Sequence, residues 1–98
     1  MAIQRVFLNQ PLRVICDTGD ATISSATKQI RYKSPAGVIR LKSATIDPDD
    51  STGESIYCDF AGSELNEVGK WEFRAYITFS GATAVTPGAP AFFEIEAI

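Results

Sequence analysis

Few side chains in this sequence could do chemistry. There is no histidine, so the usual general base is missing, and what remains is two cysteines and one cluster of carboxylates. Cys16 and Cys58 are far apart in sequence, and each lies on the apolar phase of an alternating segment, Leu12, Val14, Cys16 and Ile56, Cys58, Phe60. A reactive thiolate is favoured at a helix start or beside a cation, not inside a strand. The pair makes no zinc site, since there is no histidine and no third cysteine. As buried thiols they would behave as small hydrophobes, the ordinary state in a reducing cytosol, and a single bridge stays open as the alternative.

The carboxylates Asp47, Asp49, Asp50 and Glu54 crowd the most turn-like stretch of the chain, Asp47-Pro48-Asp49-Asp50-Ser51-Thr52-Gly53. In a solvated loop all of them ionise, and none is held back as an acid. The spacing Asp47-x-Asp49-x-Ser51-x-Gly53 is loosely that of a calcium loop. Its glycine comes one place late, no glutamate closes the twelfth position, and no helices flank it. A polar hairpin tip is the expectation. No Ser-x-x-Lys or Gly-x-Ser-x-Gly pattern and no glycine-rich phosphate cradle occurs. The sequence therefore predicts no enzyme, with no catalytic residue, metal site or cofactor.

The elements that carry these residues are strands. Trp71, Phe73, Ala75, Ile77 and Phe79 share one phase and Lys70, Glu72, Arg74, Tyr76 and Thr78 the other, the pattern of a strand with one buried and one wet face. Further strands are expected at Ile3 to Leu8, Leu12 to Asp17, Ala26 to Lys33, Val38 to Ile46, Glu54 to Phe60 and Ala91 to Ile98. Ser34-Pro35-Ala36-Gly37 reads as the tight turn that makes Val38 to Ile46 the hairpin partner of Ala26 to Lys33. One helical turn is expected at Ser63 to Val68, stopped by Gly69, and an exposed, mobile loop at Ser80 to Pro90. Seven to eight short strands and at most one helical turn predict an all-β fold, an immunoglobulin-like two-sheet antiparallel sandwich.

The 98 residues, 45% hydrophobic and 21% charged, suit a single domain over residues 1–98. The net charge of −3, with Lys and Arg never in a run, argues against nucleic-acid binding. No stretch is long and apolar enough for a membrane span. The start, Met1 to Leu8, lacks a charged region followed by an apolar stretch and a cleavage site. The chain is thus expected to stay in the cytosol where it is made, or to leave it inside an assembly or by lysis.

The order of features carries a family resemblance. A small-residue segment, Asp17 to Thr27, leads into a basic strand ending in Ser34-Pro35-Ala36-Gly37. Thr52-Gly53-Glu54-Ser55-Ile56-Tyr57-Cys58-Asp59-Phe60 follows, then a short polar helical turn, and Val68-Gly69-Lys70-Trp71-Glu72-Phe73-Arg74-Ala75 opens the aromatic-rich strand. The closing strand carries Phe93-x-Ile95. Over nearly the whole chain this resembles the immunoglobulin-like N-terminal domain of phage baseplate upper proteins. The resemblance implies a phage virion structural protein, made in the bacterial host cytoplasm, that docks onto other virion proteins in a symmetric array. It implies no catalytic residues.

Trp71, on the apolar phase, is expected to anchor the core. Tyr57 and Tyr76 fall on the polar phase of their strands, and Phe92 is out of phase with Phe93; these three are the candidate interface residues. Their role would be protein–protein docking in a tail or baseplate adaptor or a capsid decoration, with self-association into a homo-oligomer open. A carbohydrate- or host-surface-binding module is the alternative, using Tyr57 with Asp59 or Tyr76 with Glu72 and Arg74. A small inhibitor of a host enzyme is a third.

Overall fold

The alternation along Lys70 to Phe79 becomes the longest strand of a two-layer sandwich. The computed structural model describes residues 4–97. Its strands are β1 (Gln4–Phe7), β2 (Leu12–Asp17), β3 (Thr27–Lys33), β4 (Ile39–Ser43), β5 (Thr45–Ile46), β6 (Ser55–Phe60), β7 (Gly69–Thr78) and β8 (Ala91–Glu96). One sheet has the order β1-β8-β7-β3-β4 and the other β2-β6-β5. Strands two, five and six facing strands three, four, seven and eight is the immunoglobulin-like arrangement. Ile3 and Ile98, included in the expected first and last strands, lie outside the described residues.

Among the described residues every strand pairing is antiparallel but one. β1 runs parallel to β8, with Gln4 beside Phe93 and Phe7 beside Glu96, and the Leu8 N–H extends the ladder to the Glu96 carbonyl at 2.7 Å. The first strand therefore pairs within its own chain. The chain then turns at Asn9, whose φ is 67°, and enters the opposite sheet as β2.

Period two decides what is buried. Val14 and Cys16 of β2 and Ile56, Cys58 and Phe60 of β6 face Ile30 and Tyr32 of β3, Trp71, Phe73, Ala75 and Ile77 of β7, and Phe93 and Ile95 of β8. Phe60 meets Tyr32 edge-on at 4.9 Å and Phe73 at 5.3 Å, and Phe73 meets Phe93 at 5.5 Å. Such edge-to-face pairs each add about 0.5–1.5 kcal/mol to the burial itself. Trp71 is the core anchor its phase predicts, and its indole N–H donates to the Glu67 carbonyl at 2.9 Å.

Two expectations need correction. Val38 to Ile46 is not one strand: the Ala44 N–H makes a last bond to the Lys28 carbonyl at 3.0 Å, and Thr45–Ile46 then joins β6 in the other sheet. The inward phase of Lys42, Ala44 and Ile46 runs on unbroken, so alternation alone does not reveal the change of sheet. The described residues hold two short 3₁₀ turns rather than at most one helical turn. Gly62–Glu64 lies near the expected place, and Ile23–Ser25 is too brief to show a period, yet it drives Ile23 fully into the core. The Ser80 to Pro90 stretch is the largely exposed, irregular loop expected. Val85 exchanges two hydrogen bonds of 2.9 Å with Ile77, which stitches the stretch onto β7.

Candidate interaction surfaces

The three candidate interface residues divide between opposite faces of the sandwich. Tyr57, on β6, stands opposite Ile15 of β2 and Thr45 of β5, on the outer face of the three-stranded sheet. Tyr76, opposite Gln29, and Phe92, opposite Glu72, share the outer face of the five-stranded sheet. No one site gathers all three.

Around Tyr57 the polar groups already serve one another. Arg13 and Asp59 are direct cross-strand partners, and the guanidinium donates to both carboxylate oxygens, at 2.7 and 3.0 Å. The same guanidinium lies 4.4 Å from the centre of the Tyr57 ring. The hydrogen bond from Arg13 holds the Asp59 carboxyl below the ordinary carboxylate range, and Asp59 in turn raises Arg13. Ile15 lies exposed beside this cluster.

On the other face, the Lys70 ammonium sits 4.4 Å over the Phe92 ring. Arg74 approaches Glu72 at 3.4 Å. Lys33, Pro35, Lys70, Glu72 and Phe92 line a shallow groove of about 230 Å³.

The cysteines stand away from both surfaces. They lie on the inner faces of β2 and β6, where Val14 is the direct partner of Cys58 and Ile56 that of Cys16. Both are free and buried. A diagonal pair of this kind sits farther apart than the Cβ spacing of about 3.8 Å that a disulfide needs. Burial pushes the Cys16 thiol up to about 12, with the neighbouring Cys58 adding to it, and raises Cys58 as well.

The acidic turn also spends its oxygens locally. Asp47 Oδ1 accepts from the Asp49 N–H at 3.0 Å, and Asp50 Oδ1 accepts from the Thr52 N–H and hydroxyl at 3.0 and 2.6 Å. Among the described residues no three of Asp, Glu, Cys or His converge as metal ligands.

One surface escaped the sequence reading. β4 is the last strand of the five-stranded sheet, and Val38, Ile39 and Leu41 are all exposed along it. On the inner side of this edge lies a cleft of about 330 Å³, whose lining includes Tyr32, Val38, Arg40, Glu64, Glu67 and Trp71. The signal was present in the turn. Ser34-Pro35-Ala36-Gly37 closes with hydrogen bonds between Ser34 and Gly37 and between Ser34 and Val38, with Gly37 at φ 90°, a three-residue hairpin loop. That loop fixes Ile39 opposite Lys33 and Leu41 opposite Arg31, which places both apolar side chains on the polar phase of β3.

No protein-family model matches the chain, and no curated protein matches it in sequence.

Proposed function

We propose that this chain is a non-catalytic structural protein of a phage virion, a tail or baseplate adaptor or a capsid decoration, acting by docking onto other proteins. The observation that carries the docking reading is the β4 edge, where Ile39 and Leu41 stand exposed on a strand paired on one side alone. Apolar side chains along a free sheet edge are a liability for a protein that works alone and an asset for one that pairs. A rigid sandwich holds that edge, and the tyrosine-bearing faces, in fixed positions. Many copies in one particle would convert weak single contacts into firm attachment.

The virion setting is supported by the resemblance to baseplate upper proteins. The segments that carry it are the Ser34–Gly37 hairpin turn, β6 and the start of β7. A glycan site at Tyr57 has less support, because Arg13 already takes both oxygens of Asp59.

Quantitative mass spectrometry on purified particles of the phage or prophage that encodes the chain tests the reading. The chain should be present in fixed stoichiometry, many copies indicating capsid decoration and few indicating tail or baseplate. Absence from the particle overturns the virion reading.

A further inference from the structure

The free edge of β4 specifies what it can receive. Along an antiparallel ladder, the residues that bond the neighbouring strand alternate. The Ser34 N–H donates to the Val38 carbonyl at 2.9 Å and the Ala44 N–H to the Lys28 carbonyl at 3.0 Å. Val38, Arg40, Lys42 and Ala44 therefore turn their main-chain groups toward β3. Those of Ile39, Leu41 and Ser43 point outward, to where a further strand would lie. The side chains of these same residues stand on the outer face, with Ile39 48% and Leu41 45% exposed. Register with β3 is continuous from Ile39 to Ser43, so no bulge interrupts the edge, and the strand contains no proline.

The inner phase of this edge is cationic. Lys42 turns back between the sheets, where its ammonium donates to the Asp59 carbonyl at 2.8 Å and to Glu64 Oε1 at 2.6 Å. Arg40 lines the mouth of the cleft, and no carboxylate of the described residues lies within ion-pair distance of it. Arg31 and Lys33, one strand in on the outer face, are likewise unpaired among the described residues. β3 and β4 together hold Lys28, Arg31, Lys33, Arg40 and Lys42 and not one acid. Glu64 and Glu67 are the acids of the cleft, and Glu64 is taken up by Lys42. An inward charge on an edge strand repels a basic newcomer and disfavours a neutral one, which would cover the charge without pairing it. A carboxylate placed opposite removes that objection.

We propose that the β4 edge receives an extended antiparallel strand from another protein, whose apolar side chains lie on Ile39 and Leu41 and whose carboxylates face Arg40. The main-chain bonds of such an added strand supply affinity, and its alternating side chains supply selectivity. A second copy of this chain is the poorer occupant. Symmetric pairing of two β4 strands about Leu41 sets Arg40 of each opposite Lys42 of the other, and like charges directly opposed are destabilising. The inference rests on the docking reading for its setting, but not on the virion.

The test is an amide-resolved NMR titration of the intact, isotope-labelled chain. The probe is a short blocked peptide of alternating valine and glutamate, and the control has lysine in place of glutamate. The acidic peptide should shift the amides of Ile39, Leu41 and Ser43 and slow their hydrogen exchange. The lysine peptide should bind about tenfold more weakly or worse. Arg40→Glu should reverse that preference. Leu41→Asp, at an exposed position, should weaken binding while the amide pattern of β7 stays as it was. The inference is overturned if the acidic peptide leaves the edge amides unmoved, or if both peptides bind alike. Protection of the same amides in concentrated protein without peptide overturns it too, since a second copy would then cover the edge. Particle mass spectrometry reads the virion setting separately, so the two failures are distinguishable.

Discussion

Lys42 Nζ lies 2.6 Å from Glu64 Oε1, and this contact ties the edge of the five-stranded sheet to the connection that leaves the three-stranded one. Lys42 belongs to the edge strand of the five-stranded sheet, and Glu64 to the 3₁₀ turn that leads from β6 to β7. The same carboxylate accepts from the Ala61 N–H at 2.8 Å, and the same ammonium reaches the Asp59 carbonyl and lies 5.0 Å from the Phe60 ring centre. One half-buried lysine thus closes the end of the core beside Phe60 and leaves the rest of β4 uncommitted.

Removing that ammonium should loosen the closure without unfolding the domain. Lys42→Met keeps the apolar stem and loses the polar bonds, and should cost about 1 kcal/mol, since the pair is partly exposed. Chemical denaturation checks it. A midpoint equal to that of the parent chain means the contact closes nothing.

Acid should act through four carboxyls whose folded values lie below their ordinary ones. Asp59 is lowered by the Arg13 hydrogen bond, Glu64 by Lys42 and then the Ala61 N–H, Asp20 by the Thr22 hydroxyl and N–H, and Asp50 by Ser55 and Thr52. Each binds a proton more readily unfolded than folded. Its stabilisation is therefore complete above the unfolded value, at about pH 4–5, and is lost as the pH falls through the lower folded value. The denaturation midpoint should be level from neutral pH to about pH 5 and fall below about pH 4. Arg13→Ala should shrink the acid fall by the share of Asp59. A midpoint that holds steady down to pH 3 refutes the assignment.

The thiols should be inert in the folded protein. With Cys16 at about 12, its thiolate fraction at pH 8 is on the order of one in ten thousand. A thiol-specific colorimetric reagent should find almost no reactive sulfur at pH 8, and two equivalents once denaturant is added. Native mass should be the same with and without reductant. Prompt reaction in the folded state, or a mass lower by two hydrogens before reduction, contradicts the buried-thiol geometry.

Gly62 should tolerate no side chain. A Cβ at that position would overlap the main-chain carbonyl of Asn9, in the turn between β1 and β2. The backbone rather than a flexible side chain must then move, and Gly62→Ala should cost about 1–3 kcal/mol or more. Gly81→Ala is the matched control. Nothing lies near a Cβ there, so only its φ of 73° is penalised, by about 1 kcal/mol. Equal midpoints for the two variants would show that the Asn9 approach is not tight.

How much of this was legible depended on the length of the pattern. The ten residues of β7 carry a full two-residue period, and Trp71, Phe73, Ala75 and Ile77 are buried as that period requires. The turn at Ser34 to Gly37 announced its hairpin through proline and glycine. β5, with two residues, is too short to show that the chain changes sheet, and Ile23 is one apolar residue among small ones, so its 3₁₀ turn left no period. The polar phase of Tyr57, Tyr76 and Phe92 correctly indicated outward side chains. Phase says only which side of its own sheet a residue occupies, not which layer that sheet forms, so it did not divide the three. At β4 the Ser34 to Gly37 turn already fixed Ile39 and Leu41 on the outer phase, but its last place in the sheet is a non-local fact that no single strand encodes.

That division of the aromatics leads to a prediction about docking. Tyr57 and Phe92 face away from each other across two sheets, whose backbones in sandwiches of this kind lie about 10 Å apart. A single flat partner surface cannot touch both. Tyr57→Ala and Phe92→Ala should therefore act independently on incorporation into particles, or on the affinity for an isolated partner. The double variant should show the sum of the two effects within about 0.5 kcal/mol, the additivity expected of distant sites without shared contacts. The comparison needs the denaturation midpoints of all three variants, so that lost folding is not mistaken for lost docking. A coupling larger than that margin means that one partner wraps both faces, and the division of surfaces drawn from the two sheets would then have to be abandoned.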